Sequence, residues 1–170
     1  MDPTLNRLLA HDAWTTNQLL EVCRDVSDAD LDRRFEIGPG SVRATFDEII
    51  GAMEHWADRI ADRPKRERAG AGARGSITEL TARLDAVAED LGATAQALCD
   101  AGRLDEIMEL TYGGTLYRFT RRIALVHVAT HGMHHRAQII NMLRHLGVEH
   151  DVEGDAITWE IAAGVVPDEP

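Results

Sequence analysis

The sequence predicts an all-α protein, a four-helix bundle with a small β-hairpin before the last long helix. Four long segments repeat apolar side chains at a spacing of three and four residues, which is typical of helices that pack in a bundle. Two β-rich runs flank a Gly-Gly pair, which indicates a hairpin. Since the 170 residues are 44% hydrophobic, we expect a single domain over residues 1–170 with its own core.

The first long helix is predicted over residues 3–26. Asp2 can cap its N-terminus and Pro3 suits its first turn, while apolar residues recur along one face behind them. Ser27 then favours one short helical turn that ends near Arg34.

The second long helix is predicted over residues 42–62, because the breaker at 38–40 is followed by Ser41, a good N-cap. Its apolar positions have the spacing of a bundle helix: Phe46, Ile49, Met53, Trp56 and Ile60. We interpret this tryptophan, like the other two, as a core residue. The charged, Gly-rich stretch 62–75 predicts a mobile loop.

The third helix starts with a capping box, in which Ser76 and Glu79 satisfy each other's backbone amides, and it ends before Gly102. The predicted hairpin follows, with strands at 107–112 and 115–120 on either side of the Gly-Gly turn.

The fourth long helix is predicted over residues 121–146 and ends at Gly147. The last apolar run, 156–161, predicts a short helix or turn packed on the bundle.

Four of the eight histidines lie within nine residues of the fourth helix: His127, His131, His134 and His135. His131 and His135 are one helical turn apart, so their imidazoles can bind one metal ion. Apolar residues flank the helix face that carries these histidines. Burying an imidazole there costs free energy unless a partner binds its nitrogen atoms. The fourth helix therefore predicts half of a metal site.

A third ligand must come from another helix. The candidates are Glu48 and His55 on the second helix, followed by His127 and His11. Glu48 would complete a set of two histidines and one carboxylate, whereas His55 would complete three histidines. From the residues alone, both alternatives stay open.

The net charge of −11 disfavours direct binding to nucleic acid or to an anionic membrane. Two cysteines on separate predicted helices and the absence of a long apolar run at the N-terminus predict reduced thiols, no signal peptide and a cytoplasmic location.

Two motifs resemble the DinB/YfiT-like superfamily, and the likeness extends over nearly the whole chain. Residues 131–139, HGMHHRAQI, are similar to the family's H-x-x-x-H-R-x-Q-I, and residues 142–147, MLRHLG, resemble the ending that follows it. Residues 38–46 and Trp56 resemble the region of the family's second helix. This resemblance implies a four-helix bundle, often a homodimer, that binds a divalent metal through three histidines.

The metal ligands implied by the resemblance include His131 and His135. The third histidine of the family falls at Glu48, where this sequence departs from the pattern. Glu48 can substitute as a carboxylate ligand, or His55 can take its place from the neighbouring face.

The resemblance implies a metal-dependent enzyme of the thiol S-transferase or hydrolase type. Relatives include bacillithiol and glutathione S-transferase-like enzymes and a mycothiol-dependent isomerase. A zinc or nickel ion would activate a low-molecular-weight thiol or water for reaction with a small-molecule substrate. The alternative is a non-catalytic metal-binding or structural dimer with a degenerate site.

Overall fold

The computed structural model describes residues 2–67 and 75–164. The predicted loop 62–75 is described at 62–67 and at Gly75, and its remaining residues lie outside the described ranges. The elements in chain order are α1 (Pro3–Val22), α2 (Asp28–Leu31), α3 (Val42–Ile60), α4 (Ile77–Asp100), β1 (Ile107–Tyr112), β2 (Thr115–Thr120), α5 (Arg121–Leu146) and α6 (Ala156–Ala162).

The predicted helix starts are confirmed by the capping hydrogen bonds. Asp2 accepts from the amides of the first turn of α1, and Ser41 accepts from the Ala44 amide at the start of α3. Ser76 and Glu79 form the predicted reciprocal capping box of α4. These caps satisfy amides that have no partner within the helix.

Two helices end earlier than the sequence predicts. α1 ends at Val22 instead of 26, because the chain continues in tight turns such as the bond from the Val26 amide to the Cys23 carbonyl. α3 ends at Ile60 because Asp62 adopts a left-handed conformation with φ of 56° and the Arg63 amide bonds back to the Asp58 carbonyl. This is a Schellman ending without a glycine.

The four long helices form the predicted bundle. α3 packs between α4 and α5, and α1 packs against the same two helices, while the short α6 covers part of α1. One continuous apolar core fills the space between them, and its largest fully buried side chains include Phe46, Leu19, Leu91 and Ile139. The extent of the domain over 1–170 stays a prediction.

The assignment of all three tryptophans to the core is only partly correct. Trp159 on α6 is buried, but Trp14 and Trp56 are half-buried. Trp56 lies where α3 meets the hairpin, and the hairpin covers only part of its ring.

The hairpin has the predicted bounds and pairs Leu110 with Tyr117 and Met108 with Phe119. Its base is packed on the bundle through Met108, whereas Tyr112 near the turn is exposed. Among the described residues, no helix combines the length and the apolar character needed to cross a membrane.

Candidate metal centre

The candidate centre lies between α3 and α5, which run side by side. Thr120 caps α5 and Gly147 ends it in a left-handed conformation, so the histidine segment lies well inside a regular helix. His131 and His135 therefore project from the same face, one turn apart. Glu48, in the second turn of α3, faces them from the neighbouring helix.

Three donor atoms converge at this place. Within the described ranges, Glu48, His131 and His135 form a group whose ligand atoms all lie within 4.8 Å of one another. His131 Nε2 lies 3.1 Å from His135 Nε2 and 4.0 Å from Glu48 Oε1. Two donors on one zinc ion are separated by about 3.3 Å at a tetrahedral angle and by no more than about 4.3 Å. Both distances from His131 are compatible with one ion, and the remaining distance, between the donors of Glu48 and His135, is at most 4.8 Å, so small side-chain movements would let the three donors share an ion.

The orientation of His135 is fixed by a hydrogen bond to Gln138. His135 Nδ1 lies 2.9 Å from Gln138 Oε1, and because that oxygen can only accept, Nδ1 carries the proton. The Nε2 lone pair of neutral His135 is then directed at the centre. The Gln138 amide is itself held, because its Nε2 donates to His134 Nε2 at 2.9 Å. Such outer hydrogen bonds are usual for histidine ligands.

His131 is suited to metal binding because it stays neutral. Burial, and to a lesser extent the nearby His135, His127 and His134, lower the pKa of its imidazole to about 4. At neutral pH the ring therefore presents a lone pair without first losing a proton.

The centre is open to solvent on one side. The side chain of His131 is 22% exposed and that of Glu48 is 41% exposed. A small molecule can therefore reach the donor atoms from outside the bundle. The donor set, two imidazoles and one carboxylate, suits zinc and other borderline divalent ions.

The other predicted candidates lie elsewhere. His55 lines a separate cavity beside Glu54 and Lys65, outside the group of converging donors. His11 Nε2 donates to the Gly154 carbonyl at 3.0 Å, on the side of the bundle covered by the segment before α6. His127 neighbours His131, with ring centroids 5.9 Å apart, but its ring also packs on Trp56.

Sequence reasoning overlooked two residues that support the centre. From the sequence, Gln138 is recognised only as part of the motif at 131–139, and Gly38 as part of the breaker at 38–40 and of the stretch 38–46 that resembles the family. A Cβ atom built on Gly38 would lie 2.1 Å from Gln138 Oε1, so the absence of a side chain there makes room for the amide. No local pattern shows this contact, because it joins residues 100 positions apart.

Comparison with known proteins gives one family. The family model described as the DinB family matches residues 1–155. No curated protein matches the sequence. The matched range includes the bundle, the hairpin and all three converging donors. Because the match extends over most of the 170 residues, the chain belongs to the DinB family.

Proposed function

We propose that this protein binds one divalent metal ion, zinc or nickel, through Glu48, His131 and His135, and that it acts as a metal-dependent enzyme on a small-molecule substrate. The observation that carries the proposal is the convergence of a carboxylate and two imidazoles from two helices within 4.8 Å. Bundle proteins commonly build metal sites from inward-facing side chains on neighbouring helices.

The chemistry requires an open coordination position. Three protein ligands leave such a position on a tetrahedral ion, as in catalytic zinc sites. A divalent ion lowers the pKa of a thiol or water bound to it and so supplies a nucleophile at neutral pH. The reaction class that fits this chemistry is thiol transfer or hydrolysis.

The protein residues have separable roles in this proposal. His131 and His135 contribute neutral donors, and Glu48 contributes the negative charge that offsets part of the charge of a divalent ion. Gln138 holds His135 in the tautomer whose Nε2 can bind. Glu48, in place of the family's histidine, makes the centre less positive than a three-histidine site would be.

The first experiment is elemental analysis of protein purified without a histidine tag and loaded with zinc or nickel. We expect about one divalent ion per chain in the wild type. Glu48→Ala and His131→Ala should each lose most of it, because two remaining ligands hold an ion poorly. His55→Ala is the matched control, since it removes a histidine from α3 outside the donor group, and should retain the ion.

If Glu48→Ala kept the metal ion and His55→Ala lost it, the third ligand would be His55 and not Glu48. Equal metal content in all variants would reject the centre.

A second measurement separates an enzyme from a non-catalytic metal protein. Cobalt(II) in place of zinc reports its ligands through its visible spectrum. We expect added 2-mercaptoethanol to produce a sulfur-to-cobalt absorption in the near ultraviolet, because the open position admits a thiol. A spectrum unchanged by thiol would favour the closed, non-catalytic alternative. Homodimerisation and the identity of the substrate stay predictions from the family.

A further inference from the structure

The hairpin has two chemically different faces. One face carries Leu110, Tyr117 and Phe119, which the strand register brings together. The opposite face carries Glu109 and Arg118, joined by an ion pair of 3.2 Å, and the exposed Leu116. A hairpin with one apolar face normally buries that face, but here Tyr112 and Tyr117 stay exposed towards the turn.

A groove of about 340 Å³ lies under this apolar face. Its walls are the hairpin residues on one side and Trp56, Ile123 and His127 of α3 and α5 on the other. Its volume falls within the range of small-molecule sites. Among the described lining residues there is no Asp, Glu, Lys or Arg, although the whole chain carries a net charge of −11.

The floor of the groove is held in place by aromatic contacts. The Trp56 ring meets Phe119 edge-on, with centroids 6.0 Å apart, and meets His127 edge-on at 5.2 Å. His127 in turn lies 5.9 Å from the His131 ring. The inner end of the groove therefore borders the candidate metal centre, one helical turn away along α5.

We propose that this groove binds the apolar, ring-bearing part of the molecule that reacts at the centre formed by Glu48, His131 and His135. The inference rests on the proposed function and adds a substrate class to it. Substrates have an uncharged aromatic or branched aliphatic body, because charged groups would lose hydration against these walls without gaining a partner. Their reactive polar group lies at the His127 end, towards the metal ligands.

A small molecule fits this groove better than a second copy of the chain does. The groove is a concave site between three elements, whereas a stable protein interface needs about 800 Å² on each partner. The groove ends at His127, whose ring neighbours that of His131, so an occupant that extends past His127 approaches the donors. The second copy remains an outcome that the experiments below detect.

The first test uses N-phenyl-1-naphthylamine, a neutral dye whose fluorescence rises in apolar surroundings, with metal-free protein. We expect one dye per chain. Tyr117→Ser should weaken binding about three- to tenfold, the effect of one lost aromatic contact. The matched control is Leu116→Ser, because Leu116 is adjacent on β2, is 56% exposed against 48% for Tyr117, and points to the opposite face. Equal weakening in both variants would overturn the proposal.

A second pair of variants tests the helical wall. Ile123→Ser on α5 should weaken dye binding, whereas Met133→Ser on the same helix should not, since Met133 does not line the groove. The two side chains are 50% and 60% exposed, so both substitutions have a similar small effect on folding. Circular dichroism at 222 nm identifies a variant that fails to fold. Dye binding that is insensitive to Ile123 would overturn the location of the groove.

The link to the metal centre is tested with two thiols on zinc-loaded protein. Benzyl mercaptan should bind more tightly than 2-mercaptoethanol, and Tyr117→Ser should remove this preference while it leaves 2-mercaptoethanol binding unchanged. Loss of both thiols would indicate damage to the centre and overturn the role of the groove as a separate subsite.

The outcomes separate this inference from the proposed function. Position-dependent dye binding by a protein that cannot be loaded with zinc or nickel would reject the proposed function and the link between groove and centre. Metal binding without dye binding would leave the metal function and reject the groove. Sedimentation velocity completes the test: a wild-type dimer that excludes the dye and becomes monomeric in Tyr117→Ser would assign the groove to a second copy and overturn the proposal.

Discussion

At the scale of single residues, the groups that orient the proposed metal ligands are as important as the ligands themselves. His135 binds through Nε2 only if Nδ1 keeps its proton, and Gln138 is the acceptor that keeps it there. Gln138 occupies this position because Gly38, at a φ of 49°, has no Cβ to displace the amide. The loop before α3 therefore acts on a ligand carried by α5.

Two substitutions test this support, Gln138→Leu and Gly38→Ala. Each should lower zinc affinity about 10- to 100-fold without removing a ligand, because the tautomer and ring orientation of His135 are no longer fixed. Competition with a zinc chelator measures the affinity.

The control for Gly38→Ala is Gly147→Ala. Gly147, which ends α5, also has a positive φ, of 74°, but a Cβ atom there meets no other group within 4 Å. Both alanine variants should lose about 1 kcal/mol of stability from backbone strain. Only Gly38→Ala should lose zinc affinity, and an equal loss in both would mean that the effect is strain alone.

The pair of histidines on one face of α5 could be predicted from the sequence because their spacing is local. The spacing of His131 and His135 places them on one face of any regular helix. Which α3 side chain faces them depends on the rotation of α3 about its own axis, which is set by packing across the bundle. Glu48 and His55 were therefore both reasonable candidates, and only the tertiary structure shows that Glu48 faces the histidines.

At the scale of elements, α1 and α5 are joined by a buried ion pair. Arg136 donates from Nη1 to Asp12 Oδ1 and also to the Thr16 hydroxyl at 3.2 Å. Both charged side chains are at least 95% buried. Gly132 makes the close approach possible, since a Cβ there would lie 2.3 Å from Asp12 Oδ1. This pair fixes the position of the histidine helix relative to α1.

Removing one member of this pair should destabilise the bundle strongly. Asp12→Leu or Arg136→Met alone should cost about 3–5 kcal/mol, because an uncompensated charge stays buried. The double variant should cost less than the sum of the two, since it removes both charges. Urea unfolding followed by circular dichroism measures all four corners of the cycle.

Glu21→Gln provides the comparison for that cycle. Glu21 pairs with Arg24 on the surface of α1, where an exposed pair contributes about 1 kcal/mol or less. If the stability lost in the double variant equalled the sum of the losses in Asp12→Leu and Arg136→Met, the interaction between the two side chains would not stabilise the bundle.

The bounds of an element could be predicted only where a local residue marks them. The bounds of the hairpin and of α5 agree with the sequence, because a Gly-Gly turn, the Thr120 cap and Gly147 mark them locally. The end of α1 at Val22 has no such mark, since the apolar pattern continues to Val26 while the backbone already tightens into turns. The groove was not predicted, because Trp56 has the spacing of a core residue and its exposure depends on how far the hairpin extends over it.

At the scale of the whole molecule, acidic residues outnumber basic ones, and arginine side chains form ion pairs with several of the carboxylates. Asp90 on α4 accepts two hydrogen bonds of 2.7 Å from Arg63 and a third from Arg66. Arg66 also binds Asp58 on α3. The segment after α3 is thereby attached to both neighbouring helices, and a protein with a net charge of −11 keeps these carboxylates paired.

These pairs give the molecule a defined response to acid. Hydrogen bonds from Arg63 hold the pKa of Asp90 below its usual value, and those from Arg66 hold down the pKa of Asp58. A carboxyl group whose pKa is lower in the folded state stabilises the fold above its unfolded pKa of about 3.9 and loses that contribution as the pH falls through the folded value. Stability should therefore decrease below about pH 4.

Asp90→Asn tests the contribution of one group. At pH 7 it should lower stability by about 0.5–1 kcal/mol, or Tm by about 1–4 °C, because the network is partly exposed. The difference from wild type should shrink as the pH falls below about 4 and through the lowered pKa of Asp90, where the native carboxyl group is protonated as well. Asp85→Asn on the exposed face of the same helix is the control and should change stability little at pH 7. A constant deficit for Asp90→Asn from pH 7 to 3 would show that Asp90 stabilises α4 through packing, and that its charge contributes nothing.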